Sequence, residues 1–416
     1  MISLSQARAL IEKKLRPLPA QMVSLEKVAG RALREDIFAR EDLPAFDRSA
    51  MDGYAVLPDG RHLKQFRLIG EIRPGEIPKF EIRPGECARV FTGAAIPRGA
   101  THVLPQENVR AKNNFITPLK QTAATFIRKR GEDARKGDLL LKSGMRLGAG
   151  ELALLASLGI IQPKVSPPVR VAHFATGNEL IEPSQKPKPG QIRDSNGSLV
   201  AALVRQFGGE IIAQKKLADD FDLLLKNVRV AKNKFDLLLI SGGASVGDYD
   251  FGKKLLNALG FEIHFEKIAL RPGKPLIFAT RKKSGTGILP VQAGWKLAPL
   301  SNQTAFILPG NPVSHFVTLH AVVRLAFEIF SGANISWPLA KIRLAEHFEF
   351  RPDARETFWP ARVAIENGEL AVRALRWQSS GDVTGLAGAN SLLRFAGGAK
   401  SPKAGDKIET LLLEIP

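Results

Sequence analysis

Two stretches of the chain gather groups suited to handling a small anion. Around Pro272-Gly273, the cations Lys267, Arg271 and Lys274 fall within a few residues of one another. Cations so close repel unless an anion sits among them or each turns into water at a solvated edge, and the residues alone leave both readings open. The second stretch is FDLLLI followed by SGGASVGD, Phe235 to Asp248. An apolar run from Leu237 to Ile240 reads as a strand buried on both faces, stopped by Ser241 and paired glycines. Without Cβ atoms at Gly242 and Gly243, the backbone N–H groups of Ser241 to Val246 can close around phosphate oxygens, the alternative being a tight connection.

Carboxylates are distributed around these stretches. Asp47 and Asp52 lie in AFDRSAMDGYAV between apolar residues, where they either face a ligand or cap a turn. Thr92-Gly93 and the segment Gly131-Glu132-Asp133 add a polar turn and two more acids, and Glu179 follows Thr176-Gly177-Asn178. LPGNPVSHFVTLH begins at Leu308, and Pro312 at a first helical turn leaves free N–H groups aimed at the preceding space, a favourable place for an oxyanion.

The elements that must hold these groups can be read from pattern. An early helix, with Ala7, Leu10, Ile11 and Leu15 on one face, gives way to extended chain ending at Leu43-Pro44. Short alternating runs broken by Pro-Gly pairs from about residue 61 to 135 indicate a small all-β module. A helix then places Leu152, Leu155 and Leu158 on its buried side, and Pro163 to Pro168 forms a linker. From VRVAHFAT at Val169, strands alternate with helices at 198–207, 220–232 and 252–259, the order of a parallel sheet covered by helices. Such sheets bind ligands beyond the carboxyl ends of their strands, where Thr176-Gly177 and Ser241-Gly242 fall. Residues 284–303 read as a surface insert without a role in chemistry. Beyond about Ser331 the pattern is β-rich and suits a small barrel or sandwich.

Bulk composition narrows the class. The 416 residues suggest about three domains. With 44% hydrophobic and 24% charged residues the chain reads as an ordinary soluble globular protein. The single cysteine, Cys87, excludes an internal disulfide and a Cys-based zinc site, consistent with a cytoplasmic location. The amino terminus lacks the layout of a signal peptide, and no run approaches the ~18 apolar residues of a spanning helix, so no membrane is expected. A formal charge of +19 invites a nucleic-acid reading, but the basic residues are scattered without an aromatic-interleaved patch. No nucleic acid is expected as partner, and the charge suits small anionic substrates drawn into a basic cleft.

SAMDGYAV, FTGAAIP, GEDARKGD, ATGNEL, SGGASVGDYDF, RPGKP and LPGNPVS occur in this order along the chain. In this it resembles the molybdopterin molybdenumtransferases, the family of bacterial MoeA and the gephyrin E domain. The resemblance implies a multidomain α/β plus β fold: a split linker domain (1–43 and 137–168), an inserted β domain (44–136), an α/β molybdopterin-binding domain with a parallel sheet (169–332) and a carboxy-terminal β-barrel-like domain (333–416). It implies an elongated homodimer, the α/β domain of one subunit facing the inserted β domain of the other, with a molybdopterin adenylyltransferase as a further possible partner. The reaction implied is insertion of molybdate into adenylylated molybdopterin with release of AMP, assisted by Mg2+. An inactive cofactor-binding or scaffold paralogue and a molybdopterin adenylyltransferase are the alternatives; intact Asp52, Lys274 and Asp250 weigh against the first, the inserted β domain and RPGKP against the second.

By motif position the resemblance implies a molybdate shell of Arg271, Lys274, Ser314, Arg355 and Ser380, with Arg271 standing where many relatives carry Lys. It implies a pterin and phosphate cradle of Gly242, Gly243, Ser245, Asp248, Pro309 and Pro312. Asp52, Thr92, Asp133, Glu179 and Asp250 are implied around the scissile pyrophosphate, with Asp52, Glu179 and Asp250 as metal ligands, Lys267 on a phosphate, and Asn178 in a place where Asp is frequent.

Overall fold

The computed structural model describes residues 1–58, 65–120, 123–231, 234–242, 249–281, 303–349, 351 and 353–413, with Tyr249 and Asp250 through their backbone alone. Gly243, Ser245, Asp248, the Asp250 side chain and nearly all of the 284–303 insert therefore lie outside the described residues. The chain falls into two compact units, one of residues 36–142 with 157–159, the other of 1–35, 143–156 and 160–416.

The second of these starts with α1 (Leu4–Lys14), nucleated by a reciprocal cap in which Ser3 Oγ accepts from Gln6 N–H and Gln6 Oε1 accepts from Ser3 N–H. Its Leu4, Ala7 and Ile11 are buried.

Residues 36–142 carry the expected β module. Its six strands are β1 (Gly53–Val56), β2 (Phe66–Ile72), β3 (Glu86–Val90), β4 (His102–Pro105), β5 (Val109–Lys112) and β6 (Phe115–Pro118), in the order β4-β1-β3-β2-β6-β5. Only β2 and β3 run parallel. The central β1 is buried throughout and fixes the position of Asp52, which immediately precedes it.

After α2 (Ala149–Ser157) comes the sheet that organises the larger unit. Its strands are β7 (Val169–Thr176), β8 (Gly209–Leu217), β9 (Leu237–Ser241), β10 (Glu262–Lys267), β11 (Pro275–Arg281) and β12 (Gln303–Leu308), in the order β8-β7-β9-β12-β11-β10. The first four are parallel, as expected, but β11 is antiparallel to both β12 and β10. A hairpin therefore extends the parallel core. Successive side chains alternate between two cores: Leu237 and Leu239 enter the one shared with α1, Leu238 and Ile240 the opposite one. Helix α3 (Ser195–Gln206) covers the first face, while α4 (Phe221–Ala231) and α5 (Tyr249–Ala258) cover the second.

Residues Pro312–Ser331 form one helical run: α6 (Pro312–Thr318), a π-helical turn over Leu319–Val323, and α7 (Arg324–Ser331). By length and composition this run could cross a bilayer, which the sequence reading did not anticipate; 94% of its most apolar window is buried inside the fold, so it is the central core helix. The expected buried side of α2 is also corrected. Only Leu155 is buried there, Leu152 and Leu158 being half-exposed.

The carboxy-terminal strands β13 (Leu339–Leu344), β14 (Glu356–Glu366), β15 (Glu369–Ala374), β16 (Ser391–Phe395) and β17 (Lys407–Leu412) close into a barrel in the cyclic order β14-β15-β13-β17-β16. Leu270 and Arg271, from the loop between β10 and β11, pair with Glu356 and Thr357 of β14. That pairing brings the RPGKP turn to the barrel.

Candidate active site

Strand order reverses direction around β7, whose chain neighbour β8 lies on one side and β9 on the other. The carboxyl ends of β7, β9 and β12 meet there, Ala175 opposite Ser241 and Ser241 opposite Leu308. Beyond them lies a cavity of about 850 Å³, within the range of small-molecule sites. The sequence-derived Gly242, Pro309, Pro312, Arg271, Lys274, Ser314, Arg355, Ser380 and Glu179 all line it.

Gly242 must be glycine on two counts: its φ is +94°, and a Cβ would sit 2.3 Å from the Thr176 carbonyl oxygen. Gly273, at φ +121°, would press a Cβ to 2.6 Å from Thr318 Cγ2, so the RPGKP turn also packs directly on α6. Asn311 Nδ2 donates to Ser380 Oγ at 2.7 Å, and Val313 N–H donates to the Ser380 carbonyl at 3.0 Å. The barrel loop thus takes up a helix N–H that the sequence reading assigned to an oxyanion.

Arg355 is fixed by Asp353, with Nε on Oδ1 at 2.8 Å and Nη2 on Oδ2 at 2.7 Å. Arg271 Nη1 donates to the Arg351 carbonyl at 2.6 Å and lies 3.9 Å from the same Asp353. Chiefly through the Arg355 hydrogen bond, the Asp353 carboxyl is held well below the usual carboxylate range. Ser314 is 5% exposed at the cavity wall. Lys274 is exposed and meets no partner among the described residues.

Lys267 does not join this group. It ends β10 with its backbone opposite Pro275, beside Lys274 across the hairpin, but it is exposed and lies outside the cavity lining. Asp52, Thr92 and Asp133 belong to the smaller unit. Asp52 Oδ1 accepts from both the N–H and the hydroxyl of Thr92 at 2.8 Å, which holds its carboxyl below the ordinary range. Asp133 pairs with Arg128 and, at 4.0 Å, with Arg48.

Sequence reasoning missed Asp353 and Asn196, and it placed Thr176 at the crevice without a role for its side chain. Thr176 Oγ1 and Asn196 Oδ1 are buried at the cavity without a hydrogen-bond partner among the described residues, although Asn196 Nδ2 donates to the Gly310 carbonyl at 2.6 Å. The available signal was Asp194-Ser195-Asn196, in which Asp194 caps α3 by accepting from Gly197 N–H.

Residues 2–159 match the family described as MoeA N-terminal region (domain I and II), 172–328 the probable molybdopterin binding domain, and 341–413 the MoeA C-terminal region (domain IV). A molybdopterin molybdenumtransferase of Nostoc sp. is 34% identical over 95% of this chain and 89% of its own length. The chain belongs to the molybdopterin molybdenumtransferase family. That places it among the transferases of molybdenum-cofactor biosynthesis. A molybdopterin molybdenumtransferase of Staphylococcus aureus is 30% identical over 99% of the chain and 96% of its own length. Two crystal structures of the molybdopterin biosynthesis MoeA protein from Pyrococcus horikoshii superpose with TM-scores of 0.78 and 0.80, at 29% and 28% identity, covering 100% and 99% of this chain and all of theirs.

Among the described residues no three His, Cys, Asp or Glu side chains converge as a cage for a metal ion. Mg2+ needs none, since it keeps several waters and takes one or two carboxylates alongside substrate oxygens. Glu179 could serve as such a carboxylate, since it lines the cavity and its side chain meets no partner among the described residues.

Proposed function

We propose that the chain inserts molybdate into adenylylated molybdopterin and releases AMP. The observation that carries the reading is the convergence of Arg271, Lys274, Ser314, Arg355 and Ser380 on the cavity that begins at Gly242 and Pro309. Molybdate is a dianion with four oxygens, and guanidinium, ammonium and hydroxyl donors match it in charge and hydrogen bonding. Gly242, Pro309 and Pro312 cradle the pterin and phosphates together with Gly243, Ser245 and Asp248. Glu179 and Asp250 of one subunit, with Asp52 from the inserted β domain of the second, would hold Mg2+, which would supply positive charge to the pyrophosphate. Thr92 holds Asp52 in place, and Asp133 orients Arg128 and Arg48. Lys267 serves a phosphate only if its side chain swings inward.

The four-domain division at residues 43, 136, 168 and 332 is part of this reading, as is a homodimer. The half-exposed Leu152 and Leu158, and Ile161 at 69% exposure, support a second copy as the cover of that apolar surface.

The test is incubation with adenylylated molybdopterin, molybdate and magnesium, reading AMP release. Release that requires all three supports the proposal; AMP formation indifferent to molybdate would refute it. Sedimentation velocity tests the dimer, which Leu152→Glu is expected to dissociate.

A further inference from the structure

Behind the cavity lies a buried polar chain for which the transfer reaction gives no use. His173 on β7, Ser241 at the end of β9 and His315 on α6 are 0%, 2% and 0% exposed. A register shift between Val171 and Ala172 sets His173 opposite Gln214 of the edge strand β8. Gln214 Nε2 lies 2.8 Å from the Gly197 carbonyl and 3.1 Å from His173 Nδ1. His173 Nε2 lies 2.6 Å from Ser241 Oγ, Ser241 Oγ 3.2 Å from His315 Nε2, and His315 Nδ1 3.0 Å from the Pro309 carbonyl oxygen.

The two ends dictate the direction of every bond between them. The Gly197 carbonyl only accepts, so it is the Gln214 NH2, not the amide oxygen, that points this way, and it donates onward to His173 Nδ1. His173 therefore carries its proton on Nε2 and donates to Ser241. At the far end the Pro309 carbonyl requires the His315 proton on Nδ1, leaving Nε2 to accept from the Ser241 hydroxyl. A single arrangement of protons satisfies every atom, and it has the two histidines in opposite neutral tautomers. Burial keeps both neutral, pushing His173 down to about 3 and His315 to about 4.

The chain joins three separate pieces of cavity wall. Ser241 directly precedes Gly242, Pro309 opens the Pro-Gly-Asn-Pro turn, and Gly197 follows Asn196 in the first turn of α3; Ser241, Pro309 and Asn196 line the cavity, whereas Gln214, His173 and His315 do not. We propose that Gln214, His173 and His315 are positioning residues, holding these wall segments in register so that the cavity accepts its pterin substrate. The proposal rests on the cavity being the site of the transfer reaction. By contrast, His320, five residues further along the same helical run, is as deeply buried with neither ring nitrogen hydrogen-bonded among the described residues. Burial alone therefore does not create such a chain.

Two measurements test it. In uniformly 15N-labelled wild-type protein, nitrogen shifts and couplings at neutral pH are expected to show His173 protonated on Nε2 and His315 on Nδ1; the same tautomer at both sites overturns the wiring. Kinetics test the role. Gln can accept and donate at position 315, whereas Leu can do neither, so His315→Leu is expected to raise KM for adenylylated molybdopterin about fivefold or more with kcat within twofold, and His315→Gln to restore KM to within twofold of wild type. Equal KM for wild type and His315→Leu, or equal damage from both substitutions, overturns the positioning role. Should wild-type protein release no AMP, the transfer reading fails by itself. Calorimetric binding of molybdopterin to wild type, His315→Leu and His315→Gln then decides the positioning role, with the same ordering expected.

Discussion

The cations and the carboxylates around the cavity are held in different ways. Arg355 is clamped by Asp353 through its side chain and its own backbone N–H, and Arg271 is tied to the Arg351 carbonyl, so two guanidinium planes are fixed before any ligand arrives. The Lys274 ammonium is exposed and held by no side-chain partner among the described residues. Among the carboxylates, Asp194 is spent on capping α3 and Asp219 accepts from the Asn178 backbone at 3.3 Å, which leaves Glu179 without a side-chain partner among the described residues. Fixed planes impose geometry on an oxyanion, whereas an exposed ammonium and a carboxylate without such a partner contribute mainly charge. The difference separates residues expected to act on catalysis from residues expected to act on ligand concentration dependence.

The largest effect is expected at Lys274. Removing a charge-assisted contact from a confined site costs roughly 1.5 to 3 kcal/mol, so Lys274→Ala is expected to raise the molybdate requirement of AMP release more than tenfold. An unchanged molybdate dependence would break the assignment of charge to this residue. Glu179 comes next. Glu179→Gln keeps the shape and one oxygen but loses the negative charge, so the magnesium concentration for half-maximal AMP release is expected to rise about fivefold, with the molybdate dependence unaltered. A shift in molybdate instead of magnesium would show that Glu179 acts through the cationic groups.

Much of this arrangement could be read from residues, and the failures have physical causes. Strand β7 matches the segment read from VRVAHFAT, because flanking turns and apolar runs are local signals. Helix α3 begins three residues before its expected start, where Asp194 supplies a cap that apolar spacing does not reveal. The antiparallel hairpin β10–β11 could not be read, since strand direction within a sheet depends on pairing with β12, brought from beyond residue 300. Nearness in sequence groups Lys267 with Arg271 and Lys274, and its backbone does lie beside Lys274 across the hairpin, but the cavity lining includes the other two and not Lys267, a matter of side-chain direction that sequence spacing does not carry. Asp353 escaped notice because a carboxylate two residues before Arg355 makes no recognisable pattern, and its approach to Arg271 at 3.9 Å joins residues far apart in the chain. The Gln214–His173–Ser241–His315 chain spans four elements, and no local pattern marks it.

The smallest expected effect most directly separates geometry from charge, and it lies at Asp353. Asn in its place retains an oxygen that can accept from the Arg355 guanidinium, but removes the negative charge that aligns both arginines. Two consequences oppose each other. Losing a carboxylate beside the site strengthens the field felt by a dianion, which favours molybdate binding; loosening the Arg355 plane costs the alignment that matters most where charge develops in the transition state. Asp353→Asn is therefore expected to lower kcat about threefold while leaving the molybdate KM unchanged or reduced, opposite in sign to Lys274→Ala. The pH dependence follows from the direction of the Asp353 shift. A carboxyl whose pKa is depressed in the folded state keeps its charge, and its contribution to stability, above the ordinary value of 3.8, and loses both only as pH falls through the lower folded value. Between pH 8 and pH 5 the wild-type clamp is thus fully charged, and the ratio of wild-type to Asp353→Asn kcat is expected to stay constant across that range. A ratio that collapses toward unity by pH 5 would mean that the Asp353 pKa is raised above the ordinary carboxylate value instead of depressed, and that Asp353 does not hold Arg355 in the way its hydrogen bonds imply.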